Sequence, residues 1–430
     1  MSSYRYFGFW SLVSIGLNAV IGSGFFTLPA VFFGYVGVWS PWLILLVGAC
    51  LLPIGLSFAE IGSRFGETGG PYAYLRTAFG PFAGFQASWL MWITRGAAHA
   101  SVLSATLAVV GDAFPRAGTY PAQICIIAVI TTLVATMNIV GTRQAAWFLN
   151  TVAVAKFCPI AVLLFVGVFY MDWRDLAAPT VVHAHDVTAA SLVMAFALSG
   201  FELVSVPAGE SAQPFRHVPR ALLTVIVTGT LVVMLANLVA IGVLKDPSAY
   251  AAPLAEVARR MGGSTAIALL AATAIATAIG HNMSSLLTAS RLLWRMGETG
   301  DLPVRFSRLS SRFNTPTVPI LISAVAAGAM AATNSYKALA ILSGLTRLLI
   351  FAGVCAATLQ LRTHRFDAAV SPARFVAPLR SLVPSLGVAV SLLMLTGITL
   401  PMIFGTLLAV SIGTGYYVSR MVFLRRRSLA

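Results

Sequence analysis

Ile15-Gly-Leu-Asn-Ala-Val-Ile-Gly-Ser-Gly-Phe-Phe-Thr-Leu-Pro29 is apolar enough to lie in a bilayer, yet it carries Gly22-Ser23-Gly24 at its centre and Pro29 soon after. A membrane helix gains nothing from such a weak spot unless it is meant to break there. A break frees backbone N–H and C=O groups, which persist at membrane depth only where protein or a water-filled cavity satisfies them. The alternative use of Gly-x-Gly is close packing of helices through small residues.

The surrounding composition says that the solvent is lipid. Of 430 residues, 58% are hydrophobic and 10% charged, with a mean hydropathy of +0.87; soluble domains carry about 25% charged residues. Apolar runs of at least ~18 residues recur along the whole chain. About twelve spans can be placed, from 9–36 and 40–62 through 188–208 and 265–296 to 401–423, and nothing outside them is long enough for a soluble domain. One membrane domain over 1–430 is therefore expected. The four cysteines, Cys50, Cys125, Cys158 and Cys355, fall in apolar spans without metal-ligand spacing and read as small buried hydrophobes. The segment after Met1 lacks a small-x-small cleavage site and is expected to be retained.

The net charge of +15 is topological and not a nucleic-acid footprint. Placing both termini in the cytoplasm puts nineteen arginines there, from Arg5, Arg64 and Arg76 through Arg291, Arg295 and Arg365 to Arg425, Arg426 and Arg427. The other side then receives only Arg116, Arg174, Lys245, Arg259, Arg260 and Lys337. That asymmetry is the positive-inside signal. Arg95, Lys156 and Arg347 remain, and they fall inside predicted spans.

If the first span is broken, an inverted-repeat transporter should break again at the matching place in its second half. The sixth span, Ala197-Leu-Ser-Gly-Phe-Glu-Leu-Val-Ser-Val-Pro-Ala-Gly209, supplies Gly200, Pro207 and Gly209 together with Glu202, a carboxylate well inside an apolar run. Five spans precede it, four more complete a second set of five, and two follow. The intervening Glu67-Thr-Gly-Gly-Pro-Tyr-Ala-Tyr-Leu-Arg76 has turn chemistry followed by an amphipathic stretch, which suits an interfacial helix or an inner gate. His183 and His185, in a wet loop with loose spacing, are not read as a metal site.

Gly22-Ser-Gly-Phe-Phe with Pro29, Glu67-Thr-Gly-Gly-Pro-Tyr, Ser199-Gly-Phe-Glu202 with Glu210 and Pro219-Arg220-Ala221, and Gly300-Asp-Leu-Pro303 resemble bacterial amino acid permeases of the amino acid–polyamine–organocation (APC) superfamily over about residues 8–365. The resemblance implies an all-α membrane protein with the five-plus-five inverted repeat of the leucine-transporter fold and broken helices one and six. Repeat one would cover about 8–170, repeat two about 188–362, and two extra helices about 380–423. It also implies that N–H groups around Ile21, Gly22, Ser23 and Gly24 bind a substrate carboxylate. Carbonyls near Ser199 and Gly200 would take the amino group, with Phe196 and Phe201 covering the ligand. Ordinary core or lipid-facing packing is the other reading of both phenylalanines.

Lys156 lies about ten residues, or ~15 Å at 1.5 Å per residue, from the start of its span, near the bilayer centre. The resemblance places it where sodium-coupled relatives hold Na⁺, touching the first helix and the hydroxyls of the eighth. That disfavours Na⁺ coupling and leaves proton coupling or exchange. His281, Ser284, Ser285 and Thr288 form one polar stripe on the eighth span, although hydroxyls in a helix also bond back onto their own backbone. Arg95 and His99 are spaced i, i+4 on the third. Three readings of Arg95 stand open: pairing with Glu202, contact with the substrate side chain, or a structural role on backbone carbonyls. Arg347 has no evident partner and reads as a structural or gating cation.

The expectation is a secondary transporter of L-amino acids in a bacterial inner membrane, coupled to protons through Lys156, Glu202, Ser284 and Ser285, without cofactor, metal or nucleic acid. Exchange or export is the alternative. A membrane-embedded enzyme and a non-transporting sensor are the readings of another class.

Overall fold

The structure, a computed structural model, describes residues 6–113, 119–177, 182–333, 336–363, 370–395 and 400–429. Arg5, Arg116 and Arg365 lie outside the described residues, as do the side chains of Ser23, Lys337, Arg425, Arg426 and Arg427.

The described regular structure is helical. In order the α-helices are α1 Phe9–Val20, α2 Leu28–Val36, α3 Ser40–Gly62, α4 Pro71–Phe79, α5 Pro81–Ala113, α6 Tyr120–Val140, α7 Thr142–Gly167, α8 Ala184–Leu198, α9 Pro214–Leu244, α10 Pro253–Glu298, α11 Thr317–Ala332, α12 Tyr336–Gln360, α13 Leu382–Met394 and α14 Leu400–Leu429. Proline occupies the first or second position of α2, α3, α4, α6, α9 and α10. There its missing N–H costs nothing and its fixed φ suits a helix start. Among the described residues seven helical stretches are long and apolar enough to cross a membrane, and Phe9–Val20, Thr317–Ala332, Gly344–Gln360 and Leu382–Met394 are shorter apolar helices. Large apolar side chains such as Trp10, Phe165, Phe169 and Val325 point out of the bundle, as a lipid-facing surface requires.

Helices approach closely where glycine permits it. A methyl group at Gly48 or Gly55 of α3 would collide with Thr230 or Ile226 of α9. Gly16 of α1 meets Val225 of α9 in the same way. The amphipathic segment after Pro71 is the short helix α4, which packs on α5 and α12. Its Tyr72 hydroxyl donates to Asp301 at 2.6 Å, and Arg76 pairs with the same carboxylate at 2.9 Å. Burial, then the bond to Asp301, raises the Tyr72 pKa above its ordinary value, keeping the phenol a donor.

Two sequence expectations change. The span expected at 265–296 belongs to α10, whose residues Gly262 and Gly263 leave helical geometry, Gly263 with φ +59°. A separate helical piece from Pro253 therefore joins it at a kink. Of the cysteines only Cys355 is buried; Cys50 is half-buried, whereas Cys125 and Cys158 are exposed on the outside of their helices. Lipid is as apolar as a core, so hydropathy does not separate the two positions.

Candidate functional site

The helix of the first span stops at Val20. Ile21 (φ −92°, ψ 84°) and Gly22 (φ −92°, ψ −173°) are not helical, a 3₁₀ turn covers Ser23–Phe26, and helix resumes at Leu28. In the sixth span α8 stops at Leu198, Ser199 is extended, Gly200 has φ +127°, and 3₁₀ turns follow at Phe201–Ser205 and Ala208–Glu210. The two interruptions abut. A Cβ at Gly200 would stand 2.9 Å from the Ala19 carbonyl carbon and 3.0 Å from the Val20 nitrogen, so glycine is required there by both φ and contact.

The carbonyls exposed by the end of α1 are taken by donors from distant helices. Lys156 Nζ of α7 donates to Ile21 O at 2.9 Å and to Leu17 O at 3.4 Å. His281 Nδ1 of α10 lies 3.1 Å from Ala19 O and, in the Nδ1–H tautomer, donates to it. Asn18 Nδ2 donates to Leu149 O at 3.2 Å, tying α1 to α7 again. A helix C-terminus carries partial negative charge and unpaired carbonyls, so an ammonium is well placed there. The N–H groups that open the new turn at Ser23 have the opposite polarity and no acceptor within it. Gly24 is exposed, and a methyl group there would meet nothing within 4 Å.

Glu202 sits beside this junction, 2% exposed. Its Oε2 accepts the Gly200 N–H at 2.8 Å, while Oε1 lies 3.6 Å from Arg95 Nη2 and 3.5 Å from Arg347 Nε. Arg347 also donates to Ser199 Oγ and lies over the Phe196 ring at 5.3 Å. The cation expected to lack a partner is thus bound into the junction. A charge count offers the missing signal, because Glu202 is the one acid in the middle of a predicted span and arginines seldom stand unpaired in lipid.

Other expected residues divide. Phe196 packs on Arg347 near the end of α8. Phe201 is fully buried, stacked on Phe351 at 5.3 Å and edge-on to Phe58 at 5.9 Å, so its ring is held by the scaffold. The Ser284 and Ser285 hydroxyls are buried and without a hydrogen bond among the described residues, and the Lys156 bonds run to α1 carbonyls, not to these hydroxyls. Thr288 bonds back to Ser284 O at 2.8 Å. Arg95, His99 and Ser285 line a cavity of about 10 Å³ between α5, α10 and α11, the size of one water.

A second cluster gathers where Phe7 meets Ser211. Phe7 forms a parallel bridge with Ser211, through Phe7 N to Glu210 O and Ala212 N to Phe7 O, both 3.0 Å. Glu210 pairs with Arg291 of α10 at 2.9 Å and accepts from Thr142 of α7 at 3.0 Å. Glu67 pairs with Arg295. The side chains of this cluster border a cleft of about 1080 Å³.

A family model described as amino acid permease matches residues 7–421. The chain belongs to that family. The permease is 27% identical over 317 residues to the serine/threonine exchanger SteT of Bacillus subtilis, covering 72% of each chain. It is also 27% identical over 420 residues to an uncharacterized transporter of Mycobacterium bovis, covering 89% of this chain and 87% of that one. A counterpart in Mycobacterium tuberculosis matches over the same length with the same identity. With its apolar helices, the permease is a multi-pass membrane protein.

Proposed function

We propose that this permease is a secondary active transporter that moves L-amino acids across the bacterial plasma membrane by alternating access. The N–H groups opening at Ser23 and Gly24 receive the substrate carboxylate, and the carbonyls at the end of α8, near Ser199, receive its ammonium. A zwitterion matches those two polarities. In this reading α1 with α2, and α8 with its 3₁₀ turns, are broken spans one and six of a five-plus-five inverted repeat. Both termini are cytoplasmic, and the Phe7–Ser211 bridge belongs to the inner gate. Glu202, Ser284 and Ser285 belong to the coupling machinery.

The observation that carries the proposal is the Lys156 ammonium on the Leu17 and Ile21 carbonyls. A fixed cation on the carbonyl end of α1 does the work of a bound metal ion there, which supports proton coupling over Na⁺ coupling. Exchange is the second reading, favoured by the SteT relationship.

Reconstituted protein in liposomes tests the proposal. Uptake of labelled L-amino acids is expected with an inward proton gradient and is expected to be indifferent to a Na⁺ gradient. Uptake seen only with amino acid preloaded inside moves the assignment to exchange. Accumulation that requires Na⁺ overturns the role given to Lys156.

A further inference from the structure

The protein places more positive charge at the junction than it neutralises. Arg95, Lys156, Arg347 and Glu202 are buried there, with 1%, 0%, 6% and 2% exposure. Lys156 is served by the carbonyl end of α1. Among the described residues that leaves one carboxylate for two guanidiniums. Both face the same oxygen, Glu202 Oε1, at 3.6 and 3.5 Å, while Oε2 is engaged by the Gly200 N–H. Neither Arg95 Nε nor Arg347 Nε makes a hydrogen bond among the described residues. His99 and His281, on α5 and α10, are close by and add no anion.

A surplus guanidinium at bilayer depth is costly unless an anion or water meets it. Arg347 is held at the interruption itself, by Ser199 within it and by the Phe196 ring just before it. We propose that the substrate bears a net negative charge, with its side-chain carboxylate seated on the Arg347 guanidinium and Arg95 behind it. This rests on the amino acid transport reading above. An amino acid of net charge −1 brings the Arg95, Arg347 and Glu202 group to balance, with Lys156 left to the α1 carbonyls; a neutral one leaves the surplus in place, and a cationic one enlarges it. The planar fork of arginine suits a carboxylate, which it binds through two parallel hydrogen bonds.

The test is competition in proteoliposomes preloaded with the amino acid under assay, so that symport and exchange both register. L-Glutamate or L-aspartate is expected to enter saturably, each suppressing the other about tenfold when in excess over its half-saturating concentration, while L-lysine does not compete. Arg347→Gln is expected to cut acidic uptake by about tenfold or more, as loss of a charge-assisted bidentate contact does, and to invert the ratio of glutamate to glutamine transport. Arg347→Lys, which keeps the charge, is expected to retain acidic preference. Should Arg347→Gln fail to fold, the competition profile of the parent decides alone. Uptake of L-serine or another neutral amino acid without competition from acidic ones overturns this proposal and leaves transport standing. Absence of uptake for every common amino acid overturns the transport reading itself, and this proposal with it.

Discussion

Lys156 Nζ lies 2.9 Å from the carbonyl oxygen of Ile21, a residue 135 positions earlier in the chain, at the point where α1 gives way to non-helical backbone. The ammonium meets the end of α1 at Ile21 O and also approaches Leu17 O, which already accepts the Ile21 N–H. Charge, depth and backbone geometry therefore depend on one side chain.

Replacing Lys156 by alanine removes the Nζ donor to Ile21 O, while Leu17 O keeps the Ile21 N–H at 3.0 Å, and opens a void at a fully buried position. Each buried acceptor left unpaired costs about 1–3 kcal/mol. The detergent-purified variant is expected to unfold at lower temperature than the parent. Its uptake is expected to fall about a hundredfold, the rate equivalent of ~2.7 kcal/mol, whatever the external pH. Uptake at parental rates would sever Lys156 from the mechanism.

Gly200→Ala is expected to be far more harmful than Gly24→Ala. The first adds a methyl group 2.9 Å from backbone at a φ of +127°, whereas the second adds one into open space. Backbone strain of this type costs about 1–3 kcal/mol before the steric contact is counted. The thermal midpoint should drop for Gly200→Ala and hold for Gly24→Ala, whose effect is confined to apparent substrate affinity.

Glu202→Gln leaves two buried guanidiniums without their carboxylate, and removal of one partner from a buried pair costs about 3–5 kcal/mol. Arg95→Gln leaves the smaller imbalance, since Arg347 still faces the same oxygen. Measured by chemical or thermal unfolding, the double variant is expected to be less damaged than the sum of the singles, with a coupling of about 0.5–3 kcal/mol. Additive losses would show that the 3.6 Å approach of Arg95 carries no energy.

On the N-terminal face, Glu210→Gln weakens the contacts to Arg291 and Thr142. A cysteine introduced at Thr142, a buried position in the parent, should react faster with a membrane-impermeant maleimide in the Glu210→Gln background. Labelling should occur only when the reagent reaches that face. Equal rates in the two backgrounds would remove Glu210 from the proposed gate.

The two interruptions are legible in the sequence because lipid forbids loose backbone. Gly22, Gly200, Glu202 and Lys156 stand out against the apolar runs that contain them. A charge count points Arg347 toward Glu202, but its bond to Ser199, 148 positions away in the chain, leaves no record in one sequence. The helical piece from Pro253 is hidden for a different reason: it carries Glu256, Arg259 and Arg260, so hydropathy begins the span only after Gly262 and Gly263. Cys125 and Cys158 look like core residues because a lipid-facing position and a buried one ask for the same apolar side chain.

The Phe7–Ser211 bridge is made of main-chain atoms on both sides. A fastening of that kind is indifferent to which side chains occupy its positions, so most point substitutions at Phe7 or Ser211 leave it intact and only proline at a donor position deletes a bond. The segments that enter the first span and leave the sixth are thereby yoked in a way that sequence drift hardly touches. Any motion that separates them must break both backbone hydrogen bonds, so the proposed opening of that face is expected to be all-or-none whatever side chains stand at the bridge.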